Sequence, residues 1–369
     1  MRRVLPIAAV AACLLAAPAQ AAKNLELAVQ DDAVLVSRSY SDAQLALERA
    51  QAMGAKRIRV NLHWATSMPS AQATAASAPR AVQWDFERVL RLLDDVEQRG
   101  IALQVTLMGP APAWATRSGR VGNNAPNPGY YARFVRAAVR ALDGRVDRWS
   151  VWNEPNWHSQ LSPYSKAPVL YRGLYQAAYR AIVDEQPDAE ILIGELMPGA
   201  NSTHSMPALQ FLRGVTCSRR DWSAAKRCAP LEADGFALHP YNFARTPSKA
   251  TNPNPDIVEM GSLSRLERAL DRLRARHALE TASGARMPLF LTEFGFHTSG
   301  PLAVTASQHA RWLTDAWRIA KRDPRVRQLL QYELIDPWPK SVTWRSAVLK
   351  RNGDPTPAYD ALRRLALGI

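Results

Sequence analysis

Hydrophobic positions along the chain follow two alternating periods. Short, nearly continuous runs of apolar and β-branched residues recur eight times, at 26–29, 57–62, 102–108, 148–152, 190–194, 235–239, 289–293 and 328–334. Between them lie longer stretches whose apolar residues return every three or four positions, among them 42–53, 86–99, 130–142, 170–186, 263–277 and 308–322. The first pattern is that of strands buried on both faces, the second that of helices with one apolar stripe. Ser41 and Asn127 stand where helix N-caps are needed, and Gly54, Gly100 and Gly144 where helices would stop. Strands alternating with helices predict a parallel sheet covered by helices, and eight repeats favour a closed (β/α)8 TIM barrel over an open sheet. Segments 67–80, rich in Ala, Ser and Thr, and 246–255, rich in Pro and Asn, read as loops after the second and sixth strands. No shift in composition marks a second domain, so residues 22–369 are expected to form one barrel domain.

Composition narrows the function classes. With 47% hydrophobic and 22% charged residues and a mean hydropathy of −0.25, the 369-residue chain is not disordered, multi-spanning or a disulfide-stapled miniprotein. It carries no Walker-type glycine-rich loop, which removes the basis for a nucleotide-dependent activity, and no cofactor is expected. A formal net charge of +14 admits nucleic acid or an anionic polymer as partner. Arg265, Arg268, Arg272 and Arg276 lie along one helical stretch without interleaved aromatics, however, which reads as a solvated face. Nucleic acid is therefore not expected.

The chain opens on Arg2 and Arg3, an apolar stretch too short to span a bilayer stably, and Ala19-Gln20-Ala21. This is the pattern of a secretory signal at 1–21, cleaved near Ala21 to leave a secreted or periplasmic protein with no transmembrane span. A retained anchor is the alternative, as is lipoprotein processing at Cys13. Without Cys13, two cysteines remain, Cys217 and Cys228, and an exported pair so close reads as a local disulfide. No His or Cys stands at ligand spacing beside them, so a metal site is not expected there.

In a (β/α)8 barrel, functional groups gather at the C-terminal ends of the strands. Those positions are rich here: Asn61, His63 and Trp64 after the second run, Trp114 after the third, Asn153-Glu154-Pro155-Asn156-Trp157 after the fourth. Further on come Glu195, His239-Pro240-Tyr241, Glu293 and, after the eighth run, Glu333, Asp336 and Trp338. Glu154 and Glu293 each interrupt an apolar run at its end and lie about three strand–helix units apart, so they can converge over the mouth. A carboxylic acid beside a carboxylate at roughly 5–5.5 Å is what a retaining glycosidase requires, one protonating the leaving oxygen and the other attacking the anomeric carbon. Aromatic walls such as Trp152 and Trp157 and a neighbouring carboxylate would raise the pKa of Glu154, while Arg59 and the Tyr241 hydroxyl would lower that of Glu293.

Asn153-Glu154-Pro155, His239-Pro240-Tyr241 and Thr292-Glu293-Phe294-Gly295, in this order at strand ends, resemble the clan A retaining glycoside hydrolases, the 4/7 superfamily, with a family-39-like or family-5-like flavour. The resemblance implies Glu154 as acid/base, Asn153 at the sugar 2-hydroxyl and Glu293 as nucleophile. It also implies Tyr241 in contact with that nucleophile, Arg59 keeping it ionised and Trp338 beneath the bound sugar. Many family-5 enzymes place a His at the end of strand three, where this chain has Met108-Gly109-Pro110.

Eleven tryptophans are the remaining anomaly. Trp64, Trp114, Trp152, Trp157, Trp338 and Trp344 follow or end strands, and aromatic faces stack on the C–H faces of sugars. A stacking rim of Trp64, Trp114, Trp157 and Trp338, with His63, is therefore expected, although packing inside the barrel would use the same residue type. His239 and Tyr241 could likewise be satisfied residues of the barrel rim, and Glu195 and Asp336 structural pairs. The expectation is a metal-independent, monomeric β-glycosidase acting on an oligo- or polysaccharide, with an acidic or envelope-associated glycan favoured by the charge. A transglycosylase using the same carboxylates and a non-catalytic glycan-binding barrel are the alternatives.

Overall fold

The computed structural model describes residues 25–200, 202–249, 252–339 and 344–369. The signal expected at 1–21, with Cys13, lies outside them. Eight strands close into a barrel in sequence order: β1 (Glu26–Gln30), β2 (Arg57–His63), β3 (Ala102–Met108), β4 (Arg148–Val151), β5 (Glu190–Leu196), β6 (Gly235–Leu238), β7 (Leu289–Phe294) and β8 (Val326–Tyr332). All neighbouring strands are parallel, and β8 pairs back with β1 from Glu26↔Gln328 to Gln30↔Tyr332. Each strand leads to a helix: α1 (Ala43–Met53), α2 (Glu87–Glu97), α3 (Pro128–Leu142), α4 (Ala167–Glu185), α5 (Ala208–Val215), α6 (Leu263–Ala275), α7 (Ala306–Arg322) and α8 (Pro357–Leu367). The expected (β/α)8 barrel is the observed one.

Local chemistry sets the helix ends. The α1 N-cap is Asp42, one residue later than expected, because its carboxylate reaches the Gln44 amide at 2.8 Å. Asn127 caps α3 from the Gly129 and Tyr130 amides, with Pro128 in the first turn. Gly54, at φ +88°, closes α1 in the left-handed conformation that glycine adopts without strain. Helices α5 and α8 lie outside the periodic stretches named from the sequence. The first is short, and the second begins at a proline that a pattern search takes for a break.

The main apolar core lies between sheet and helices, with Trp64, Trp149 and Trp152 fully buried in it. Polar side chains from non-adjacent strands meet inside the barrel: Arg148 of β4 donates to Glu26 of β1 at 2.8 Å and to Gln328 of β8 at 2.7 Å. Ahead of β6 and β7, Leu231–Glu232 and Leu279–Glu280 form a small parallel ladder of their own. Cys217 and Cys228 are disulfide-bonded in the connection from α5 to β6.

Candidate active site

The ends of the fourth and fifth strands depart from regular geometry, and both aim a carboxylate. The fourth strand stops at Val151, one residue short of the expected end, and Trp152 and Glu154 adopt φ of +64° and +44°. The fifth runs two residues beyond its expected end and carries a bulge between Gly194 and Leu196, with Glu195 at φ +50°. Gly194 sits at φ +117°, and a Cβ there would lie 2.5 Å from the Ala237 carbonyl oxygen. Left-handed non-glycine residues are costly and persist only where their surroundings impose them, so their concentration here marks a site. The two turns are tied together, the Glu154 amide donating to the Glu195 carbonyl at 2.9 Å.

Around His239 the side chains form one connected cluster. The imidazole donates from Nδ1 to Glu154 Oε1 at 2.9 Å and from Nε2 to Glu195 Oε2 at 2.7 Å, and its Nδ1 lies 3.4 Å from Glu293 Oε2. Arg59, wholly buried, donates to Glu293 Oε1 at 2.8 Å, to Asn153 Oδ1 at 2.8 Å and to Glu195 Oε2 at 3.1 Å. The Tyr241 hydroxyl donates to Glu293 Oε2 at 3.2 Å, and Thr292 Oγ1 to Glu195 Oε2 at 2.6 Å. Oxygens of Glu154 and Glu293 come within 4.8 Å of each other.

Charge decides the protonation of this cluster. Burial opposes the His239 imidazolium, but Glu293, Glu154 and Glu195 outweigh it and push its pKa up to about 10. Burial likewise raises the Glu195 carboxyl, yet Arg59 and His239 prevail and hold it down at about 2. Glu293 moves the other way from expectation. Arg59 and His239 pull its pKa down, but complete burial, with Glu154 and Glu195 nearby, leaves it raised. The Tyr241 phenol is pushed well above its usual range, by burial first and then by Glu293, so it remains a donor.

Glu154, His239 and Glu293 are also close enough to share a metal ion. A doubly protonated imidazole offers no lone pair, however, and Arg59 already occupies Glu293 as a fixed cation, so this donor set suits proton transfer better than metal ligation.

The carboxylates open on a cavity of about 500 Å³, within the range of small-ligand sites, lined by Asn61, His63, Met108, Asn153, Glu154, Trp157, Gln160, Met197, Tyr241, Phe243, Glu293, Tyr332 and Trp344. His63 stands in register beside Met108, and its Nδ1 is 2.7 Å from the Gly109 carbonyl oxygen, to which it donates. An imidazole thus faces the cavity from β2, next to the strand-three position where none is present.

The structure divides the expected tryptophan rim. Trp64 is fully enclosed, stacked on Phe134 at 5.9 Å, so neither face is open to a sugar. Trp114 packs edge-on against Trp64 and Tyr130 and gives its indole N–H to the Gln72 carbonyl, outside the cavity lining. Trp338 is exposed, with the Arg351 guanidinium over its ring at 4.2 Å, and is not among the lining residues. Trp157 does line the cavity. Trp344 joins it, edge-on to Tyr241 at 5.0 Å and anchored by its Nε1 to Ser346 Oγ at 2.9 Å. Glu195 is the contributor that sequence reasoning set aside as structural. Its signal was an acid ending the apolar run Ile191-Leu192-Ile193-Gly194, the same pattern that singled out Glu154 and Glu293.

No family model matches the chain, and no curated protein matches it in sequence. Among solved structures, the fold is similar to a family 39 glycoside hydrolase from Bacteroides cellulosilyticus WH2, with a TM-score of 0.67 and 18% identity over 93% of this chain and 63% of that one. A family 39 β-xylosidase from Caulobacter crescentus matches with a TM-score of 0.60 and 18% identity, over 94% of this chain and 73% of that one. An exo-β-1,4-mannosidase from Opitutaceae bacterium strain TAV5 matches with a TM-score of 0.58 and 14% identity, over 94% and 60%. These likenesses establish the (β/α)8 barrel fold, and the chain spans 63% of the length of the Bacteroides enzyme.

Proposed function

We propose that the protein is a retaining β-glycosidase that cleaves O-glycosidic bonds of an oligo- or polysaccharide, with Glu154 as acid/base and Glu293 as nucleophile. The observation that carries this reading is the approach of the two carboxylates to within 4.8 Å across one cavity. That spacing suits direct attack by Glu293 and leaves too little room for the intervening water of an inverting enzyme, whose carboxyls stand roughly 6.5–9.5 Å apart. Glu293 attacks the anomeric carbon while Glu154 gives its proton to the leaving oxygen. Glu154 then takes a proton from water as that water displaces Glu293 and regenerates its carboxylate. His239 Nδ1 stands between the two carboxylates, 2.9 Å from Glu154 Oε1 and 3.4 Å from Glu293 Oε2.

Among the described residues the cavity lining includes no Lys or Arg. This favours an uncharged sugar at the point of cleavage, in place of the acidic glycan suggested by the net charge. The disulfide supports export after removal of residues 1–21, since such bonds persist in oxidising compartments. N-terminal sequencing of the mature protein tests that part.

Anomeric configuration during turnover of an aryl β-glycoside tests the mechanism: first-formed product with the substrate's own configuration is expected, and inverted product overturns it.

A further inference from the structure

Four exposed cations, Arg219, Arg220, Lys226 and Arg227, sit on the loop closed by Cys217 and Cys228, against one acid, Asp221. The loop is built rather than loose. Ser218 and Ala224 pair antiparallel, Arg219 N donates to Ser223 O at 2.8 Å, and Ala225 N donates to Cys217 O at 2.8 Å. Trp222 turns inward as its anchor, with the Arg213 guanidinium 5.4 Å from its ring centre.

Some arginines elsewhere on the surface are matched by acids: Arg136 with Asp184 and Glu185, Arg140 with Glu185, Arg145 with Asp94 and Glu97. The loop differs. Among the described residues, none of its four cations has a carboxylate oxygen within ion-pair distance, and Arg219 gives its guanidinium to the Ala224 carbonyl. Two further guanidiniums stand behind it in the same condition. Arg172 donates to the Val215 and Ala229 carbonyls, and Arg276 to Thr216 O and Ser218 Oγ. Burial without a counter-charge lowers the pKa of both. Six cations without a carboxylate partner among the described residues are therefore gathered at one place, on and behind the disulfide-closed loop. That place lies in the connection leading into β6, at the end of the barrel opposite the candidate active site.

We propose that this face docks an anionic polysaccharide, a chain carrying repeated carboxylates or sulfates, and holds the protein on it with the cavity facing away. Pairs of cations on both arms of a hairpin can meet successive charges of a polymer. The loop offers no exposed aromatic or large aliphatic side chain for insertion into lipid or stacking on bases, since Trp222 is turned inward. Arg219, Arg220, Lys226 and Arg227 take no part in the Glu154–Glu293 site, so the proposal stands apart from the glycosidase reading.

The test is binding of the full chain to polygalacturonate, measured by calorimetry over a salt series, with neutral dextran as control. Comparison is made with the quadruple variant R219Q/R220Q/K226Q/R227Q and with R88Q/R91Q/R268Q/R272Q, which removes as much charge from exposed positions on α2 and α6. The parent and the second variant are expected to bind polygalacturonate and not dextran. The first variant should bind at least about tenfold more weakly, with a log–log salt slope smaller by about 2–3, by the counterion-release rule for single-stranded polyanions. Turnover of a small aryl glycoside should be unchanged. Equal losses in both variants, or none in the first, overturn the proposal. So does tighter binding to phosphatidylglycerol vesicles or duplex DNA through the same four residues, which would assign the face to a different partner.

Discussion

His239 Nε2 lies 2.7 Å from Glu195 Oε2, and neither side chain has any exposed surface. That carboxylate oxygen also accepts from Arg59 and Thr292, so Glu195 is a fixed negative charge beneath the candidate acid/base. It holds the imidazole in place and keeps it cationic, while Nδ1 meets Glu154 and Glu293 above. The β5 bulge exists to reach this position, since a regular strand would turn alternate residues outward.

Replacing Glu195 with Gln keeps the shape and removes the charge. The His239 pKa, raised from 6.5 to about 10, should then fall, moving the alkaline limb of the kcat profile down by about one to two pH units. The linked stability follows the same sign. A raised imidazole pKa contributes fully below about pH 6.5 and is lost as pH rises through about 10, so the variant should lose stability earlier on the alkaline side. A role confined to packing would lower the melting temperature and leave the pH limb where it was. NMR titration of the His239 ring separates the two.

Glu293→Gln should reduce turnover by more than about 10⁴-fold, and Glu154→Gln by about 10²–10⁴-fold. Their stabilities carry further information. The Glu293 carboxyl has a raised pKa, so its ionised form costs folding energy above its usual range, and Glu293→Gln should melt at a higher temperature than the parent at pH 7. Ordinary activity in Glu293→Gln removes the mechanism.

The choice between tryptophans is equally open to measurement. Trp344 and Trp157 line the cavity, whereas Trp338, under Arg351, is not among its lining residues. Trp344→Ala is expected to raise KM by about tenfold, the equivalent of about 1.4 kcal/mol of stacking, with a smaller change in kcat. Trp338→Ala should leave both within about twofold. The reverse outcome, read from steady-state kinetics on an oligosaccharide, would return the sugar platform to Trp338.

The barrel was legible because each strand is a dense apolar run and each principal helix keeps its stripe, both properties of neighbouring residues. Glu154 and Glu293 were legible as acids ending apolar runs, Arg59, His239 and Tyr241 through the resemblance, and they meet in one cluster. What escaped depends on long-range contacts. The left-handed turns at Trp152 and Glu154 and the bulge at Glu195 are imposed by the packed barrel rather than by local preference. Trp64 and Trp344 both lie near strand ends, yet one is enclosed by Tyr131 and Phe134 and the other faces the cavity. The upward shift at Glu293 escaped for the same reason, because full burial is a property of the folded site.

A last expectation concerns alkaline pH. Glu333, just beyond β8, has a buried, unpartnered Oε2, and burial, with Asp31 nearby, pushes its pKa up to about 8. Asp31 is raised to about 7 by burial, although it accepts from the Ile335 amide at 3.0 Å and the Val34 amide at 3.2 Å. An acid whose folded pKa is raised costs stability as pH climbs from its unfolded value to its folded one. This pair should therefore lower the melting temperature progressively from about pH 4.5 to about pH 8, with no further loss from it above that. Glu333→Gln removes one charge without removing a hydrogen bond at Oε2, so it should flatten that decline and melt several degrees above the parent at pH 9. Asp31→Asn replaces one of the two oxygens that accept from the Val34 and Ile335 amides with an NH2 donor and should gain less. Thermal unfolding of the three proteins between pH 5 and 9 decides it, and a parent whose melting temperature is flat across pH 5–8 would show that the two carboxyls ionise normally.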